Sequence, residues 1–309
     1  MVRWGRAQGL TLAAFLVMCV LVGANLVSVR FSNRELEPFW GAALRFAAAT
    51  LLLATVVGVM RLGLPRGRNL AGAVLFGLLG FALFFAFTYW ALQELPAAIA
   101  GVMFACVPLL TFFLAILHRQ ERFRWRSLIG GLMAVVGIAV MVRAPVNADI
   151  PLVHLAAMLG AAVSAAEVGI VARHFRDVHP VVMNAVGMAV GFVVLGGLSL
   201  VANEPRVLPE RAATLWSLAY LITLGSCGVF LLYLFVLQTW TASAASYEFV
   251  IAPLVAAALA WWLLDETLTV EIAVGGAVVL VGVYIGALVG GGGEGSAAAV
   301  EQGAVTERA

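Results

Sequence analysis

Arg45, Glu167 and Glu248 are ionisable side chains set inside long apolar runs of this sequence. A charge in hydrocarbon costs from a few to more than about 10 kcal/mol, so each must face a partner or a water-filled cavity. Arg45 lies about six residues into its run. It reads either as a bidentate, permanently charged clamp for a carboxylate or phosphate, or as a staple to carbonyls or to Asn25, which falls at similar depth in the preceding run. Asn25 and Asn184, as neutral polar groups, suit helix-to-helix hydrogen bonds. Glu167 and Glu248 fall toward the expected cytoplasmic third of their runs, where they can share a water-filled vestibule. A carboxylate held away from bulk water can exchange a proton near neutral pH or bind an amine. The silent alternative is that Glu248 bonds hydroxyls such as Ser246 or Thr241.

Aromatic residues crowd one run, as Phe81, Phe84, Phe85, Phe87 and Tyr89. Those turned inward, of which Phe85 and Tyr89 are the candidates, can stack on a flat or apolar ligand. Phe104 and Phe249 lie close in sequence to Pro108 and Pro253. A proline within a helix removes a backbone hydrogen bond, which allows either a hinge or a fixed bend. The four histidines lack metal-site spacing and read as solvated residues at helix ends, while Cys19, Cys106 and Cys227 read as small core hydrophobes. No HExxH, GxSxG or GxxxxGK[ST] pattern occurs, so neither a metal, a cofactor nor ATP-driven chemistry is expected.

The elements that position these groups follow from composition. The 309 residues are 63% hydrophobic and 11% charged, with a mean hydropathy of +1.06. A water-soluble domain with this composition could not cover its own surface, whereas lipid needs no such cover. Apolar stretches long enough to cross a bilayer of about 30 Å fall near 9–29, 39–60, 69–90, 97–117, 126–143, 152–171, 181–201, 213–236, 243–264 and 271–290. About ten transmembrane helices are therefore expected, the first retained rather than cleaved as a signal peptide. All 18 basic residues are arginines. With a cytoplasmic N-terminus, twelve of them fall inside and five outside, with Arg45 in a span, so both termini are expected in the cytoplasm. Trp240 and the pair Trp261–Trp262 bracket one span as interface anchors. No basic patch with interleaved aromatics points to nucleic acid.

The run Leu92–Gly137 recurs as Leu237–Gly282 at a constant offset of 145 residues. Under that offset Gln93 maps to Gln238, Phe104 to Phe249, Pro108 to Pro253 and Glu121 to Glu266. Gly130, Gly131 and Gly137 map to Gly275, Gly276 and Gly282. Earlier, Pro38 maps to Pro180 and Asn25 to Glu167 at an offset of 142. Residues 1–147 and 148–290 are thus expected to form two related five-helix units, with 291–309 a disordered cytoplasmic tail. An odd number of spans turns the second unit over. Charge agrees, since the basic HRQERFRWR after the fourth span has the acidic counterpart LLDETLTVE. The paired glycines read as close-packing helix faces.

The doubled element, Pro108–Glu121–Gly130–Gly131–Gly137 and Pro253–Glu266–Gly275–Gly276–Gly282, resembles the EamA family of the drug/metabolite transporter superfamily. Tyr89-Trp90-Ala91-Leu92 leading into Ala97–Ala100, and Arg45 in the second span, fit the same resemblance. One departure is that Asp265-Glu266 stands where the first copy has Gln120-Glu121. The resemblance implies ten helices in two inverted five-helix repeats, a central cavity, and commonly export across the bacterial inner membrane; related proteins handle amino acids, sugars, nucleosides and cofactors. The expected function is a secondary transporter exporting a small metabolite, an amino acid or related compound, by alternating access with proton coupling or exchange. Its expected partners are that metabolite, protons and membrane lipids. The open alternatives are a lipid or glycolipid flippase and a membrane-embedded enzyme. The substrate-binding or coupling candidates are Asn25, Arg45, Phe85, Tyr89, Phe104, Glu167, Glu248 and Phe249, and the hinge candidates are Pro108 and Pro253.

Overall fold

The computed structural model describes residues 6–92, 100, 103–142, 151–264 and 270–289. All regular structure among them is helical. The helices are α1 Arg6–Ser32, α2 Pro38–Val59, α3 Arg68–Ala91, α4 Val107–Leu117, α5 Trp125–Val142, α6 Leu152–His174, α7 Pro180–Val201 and α8 Ala212–Leu237. A one-turn helix, Ala242–Ala245, precedes α9 Glu248–Leu264, and α10 Val270–Val283 continues into π-turns over Tyr284–Val289. Seven described helices are long and apolar enough to cross a membrane, and three shorter apolar ones span Met103–Leu117, Trp125–Val140 and Ala273–Ala287. Leu51, Leu117, Val193 and Trp216 are each about two-thirds exposed or more, an apolar exterior that suits lipid contact.

The repeat is visible in local structure. α2 and α7 both open on proline, which fits the first helical turn because the missing N–H would have no partner there. α3 and α8 each contain a π-turn, at Leu78–Leu83 and Thr223–Gly228. These turns are separated by the same 145 residues as the sequence repeat.

Two helices pack against their own copies, α2 on α7 and α5 on α10. At the α5–α10 seam a Cβ on Gly130 would lie 2.5 Å from the Gly282 carbonyl oxygen, and one on Gly137 would lie 2.7 Å from that of Gly275. The repeat turns the first contact into the second, and the partner number falls as the number on α5 rises, so the helices run antiparallel. The α2–α7 pair is antiparallel too. Glu204, just past the end of α7, accepts the N–H groups of Phe39 at 3.2 Å and Trp40 at 2.8 Å. It thereby satisfies donors that the first turn of α2 leaves unpaired.

Some expectations are corrected here. Pro108 stands at the opening of α4, after a break at Cys106, where it removes no helical hydrogen bond; Pro253 lies inside α9. Trp240 is 3% exposed and packs on Phe15 with ring centroids 4.9 Å apart, so it is a core residue rather than an interface anchor. The Trp261 and Trp262 side chains, Glu266 and the tail 291–309 lie outside what is described.

Two predictions follow from these contacts. Gly130→Ala forces the seam open and should lower the thermal unfolding midpoint in detergent by roughly 5 °C. Gly197→Ala, with nothing within 4 Å of the added Cβ, should leave the midpoint unchanged. The second concerns Glu35 in the α1–α2 connection, which accepts the backbone N–H of Glu210 at 2.7 Å and of Arg211 at 3.3 Å. The Thr214 hydroxyl first, and then these N–H groups, hold its carboxyl below the ordinary value of 4.5. A depressed folded-state value stabilises the fold above about pH 4.5 and is lost as pH falls through the range below it. The difference in midpoint between the native protein and Glu35→Gln should therefore shrink below pH 4.5; a constant difference would refute the contact.

Candidate functional site

Arg45 is 3% exposed and reaches from α2 to the π-turn of α8. Its Nε donates to Ser226 Oγ at 2.6 Å and its Nη2 to the Gly225 carbonyl at 2.8 Å. Asn25 of α1 donates to the same carbonyl at 3.0 Å. A π-turn that reverts to α-helical spacing leaves one carbonyl outside the helix ladder, and in lipid that carbonyl needs a donor. The staple expected for Arg45 is thus present, with Asn25 as co-donor on one oxygen. The guanidinium carbon also lies 5.3 Å from the Phe46 ring centre and 5.6 Å from that of Phe85, within cation–π range. With Val29, Ser32, Ala42, Tyr89 and Leu221, Arg45 lines a narrow cleft toward the face that carries the α1–α2 connection. No ion pair to Arg45 occurs among the described residues.

From Arg45 a column of rings crosses the molecule. Tyr89 lies 5.9 Å from Phe85, Phe85 lies 5.1 Å from Phe84, and Phe84 lies 5.6 Å from Phe104 and 5.9 Å from Phe249. Phe104 and Phe249, the repeat-equivalent pair, are 6.0 Å apart. Phe84, Phe85, Tyr89, Phe104 and Phe249 are all only partly buried. Phe84, which joins the two ends, was not singled out from sequence because nothing in its spacing separates it from its neighbours.

The column ends at Phe249, and the residue before it in the chain, Glu248, opens α9 and is 7% exposed. Its Oε2 has no hydrogen-bond partner among the described residues. The Ser246 and Thr241 hydroxyls are engaged elsewhere, since Ser246 donates to the Ser243 carbonyl and Thr241 meets Ser243 Oγ at 3.2 Å while accepting from Ala244 N–H. Cys19 and Tyr233 lie near enough to feel its charge. Glu167 is held differently. It pairs with His118 at 3.2 Å and keeps a fifth of its side chain exposed. The two carboxylates therefore have separate settings, with no bond or shared partner between them among the described residues.

The other histidines are contact residues rather than free interface groups. His174 bonds Arg68 at 2.5 Å, His154 stacks on Trp90, and His179 accepts from Val181 N–H at the opening of α7.

The repeat shows which features are particular to one copy. Arg45 maps to Gly187, Ser226 to Phe81, Gly225 to Gly80 and Glu248 to Met103. The contact persists while its chemistry changes. A Cβ on Gly187 would meet the Phe81 ring at 2.9 Å, where the other copy has an arginine on a serine. The signal for Ser226 was thus present in sequence, as a departure between copies rather than a match.

The sequence profile of the EamA-like transporter family matches residues 9–143 and again residues 153–287. Over 266 residues, 85% of this chain and 93% of the relative, the chain is 24% identical to a protein of Archaeoglobus fulgidus named an uncharacterized transporter. A stretch of 97 residues, 31% of this chain and 33% of the relative, is 29% identical to a probable terminal-alkyne amino-acid exporter of Streptantibioticus cattleyicolor. A protein of known crystal structure shares the fold with a TM-score of 0.77 at 19% identity, over 91% of this chain and 97% of its own.

Proposed function

The chain belongs to the EamA-like transporter family, and we propose that it exports a small zwitterionic metabolite, an amino acid or related compound, across the bacterial inner membrane by alternating access. It is a multi-pass membrane transporter rather than an enzyme, and its substrate is a small molecule. One observation carries the finer reading. Arg45 and Glu248 are both buried, neither has an ion-pair partner among the described residues, and an aromatic column runs from Arg45 to Phe249, the residue that follows Glu248 in the chain. A solute bearing a carboxylate and an ammonium supplies both missing countercharges, and the rings accept its apolar part. The relative named as a probable amino-acid exporter agrees in kind.

Glu248 is the proton-coupling group in this reading, because a carboxylate without a fixed cation can take up and release a proton during the cycle. Residues 1–147 and 148–290 are the two units that rock against each other. The arginine distribution supports cytoplasmic termini, and protons and surrounding lipid are the remaining partners.

In proteoliposomes loaded with radiolabelled leucine or phenylalanine, Glu248→Gln should abolish acceleration by a pH gradient while leaving exchange. Arg45→Gln should raise KM by about 10- to 100-fold, the size of a lost charged hydrogen bond. Native-like transport in both variants, or no movement of any standard amino acid by the native protein, rules the proposal out.

A further inference from the structure

Glu121 lies in the α4–α5 connection, within the repeated proline–glutamate–glycine element, and takes no part in the site above. Its side chain is 2% exposed yet fully engaged. Oε1 accepts the Ser243 N–H at 3.0 Å, while Oε2 accepts the Ser243 hydroxyl at 2.5 Å and the Arg124 guanidinium at 2.8 Å. Ser243 belongs to the other repeat. It stands in the one-turn helix that leads through Ser246 and Tyr247 into Glu248.

Further bonds at the same arginine-rich face also cross from the first repeat to the second. Gln120 donates to the Ile170 carbonyl at 2.9 Å, His118 meets Glu167 at 3.2 Å, and the Tyr247 hydroxyl donates to the Ser127 carbonyl at 3.5 Å. Of these, the Glu121 contact gathers a backbone N–H, a hydroxyl and a guanidinium on one carboxylate, which makes it costly to leave broken. The sequence does not provide a matching set on the opposite face. At the 145-residue offset Ser243 becomes Ala98 and Arg124 becomes Thr269, so the hydroxyl and the guanidinium are both missing.

We propose that Glu121 is a positioning residue: its clasp on Ser243 fixes the segment that carries Glu248 and holds the arginine-rich face closed. The inference rests on the alternating-access reading, in which the clasp opens once per cycle on that face only. Release would move Thr241–Glu248 away from the α4–α5 connection and admit water to the inner end of the aromatic column.

Cys19 is a built-in reporter, 1% exposed in α1 and within electrostatic reach of Glu248. In a Cys106→Ser, Cys227→Ala background, a membrane-impermeant maleimide is applied to vesicles of known sidedness without substrate. Ser243→Ala and Glu121→Gln should each raise the labelling rate of Cys19 by about tenfold or more from the arginine-rich face, and leave it unchanged from the other. An unchanged rate in both variants overturns the clasp, as does an equal rise from both faces, which marks general loosening. The measurement stands apart from amino-acid transport. Unchanged labelling beside intact transport overturns the clasp alone, while raised labelling beside a native protein that moves no amino acid overturns the substrate reading alone.

Discussion

A helix that packs on its own repeat copy must lie beside the axis relating the two, and among the described helices α2–α7 and α5–α10 do so extensively. Lipid gives helices no hydrophobic reason to associate, so close backbone approach has to hold them. The seam where Gly130 meets Gly282 and Gly137 meets Gly275 provides that approach. Because both pairs are antiparallel, the axis lies across the helices, and the second unit is the first turned over. The remaining helices are arranged around these two contacts.

Within that frame the site arises where the copies differ. The second and seventh helices meet the π-turns of the eighth and third in the same way, yet one meeting is Arg45 on Gly225 and Ser226 and the other is Gly187 on Phe81. Asn25 and Glu167 are likewise equivalents, one donating to a carbonyl and the other paired with a histidine. Symmetry sets the frame of the bundle, and the departures give equivalent positions different chemistry, an arginine in one copy and a glycine in the other. The aromatic column is less polarised, with Phe104 and Phe249 equivalent and in contact.

Much of the fold was legible in the sequence because it rests on periodic quantities. Hydropathy located the helices, and a fixed offset across Pro108, Glu121 and the glycines revealed the duplication. Arg45, Glu248 and the rings at 85, 89, 104 and 249 stood out because polar or aromatic groups in apolar runs are few. Other features depended on three-dimensional neighbours. Trp240 looks like an interface residue by position, but Phe15 and the Arg173 contact to its carbonyl place it in the core. Glu121 belongs to a motif whose spacing says nothing of Ser243, 122 residues away. Pro108 reads as a mid-helix residue until the break at Cys106 is seen. The π-turns have no hydropathy signature, so the carbonyl of Gly225 could not be anticipated.

The glycine at position 187 also bears on how such a chain can arise. Two identical separate polypeptides, paired upside down, would place a guanidinium at both symmetry-related positions, and each would need its own polar cradle in the hydrocarbon. Joining them into a single polypeptide removes that obligation. One position can then keep its charge while its twin is a hydrogen atom against a phenyl ring, an asymmetry that no strict homodimer could have.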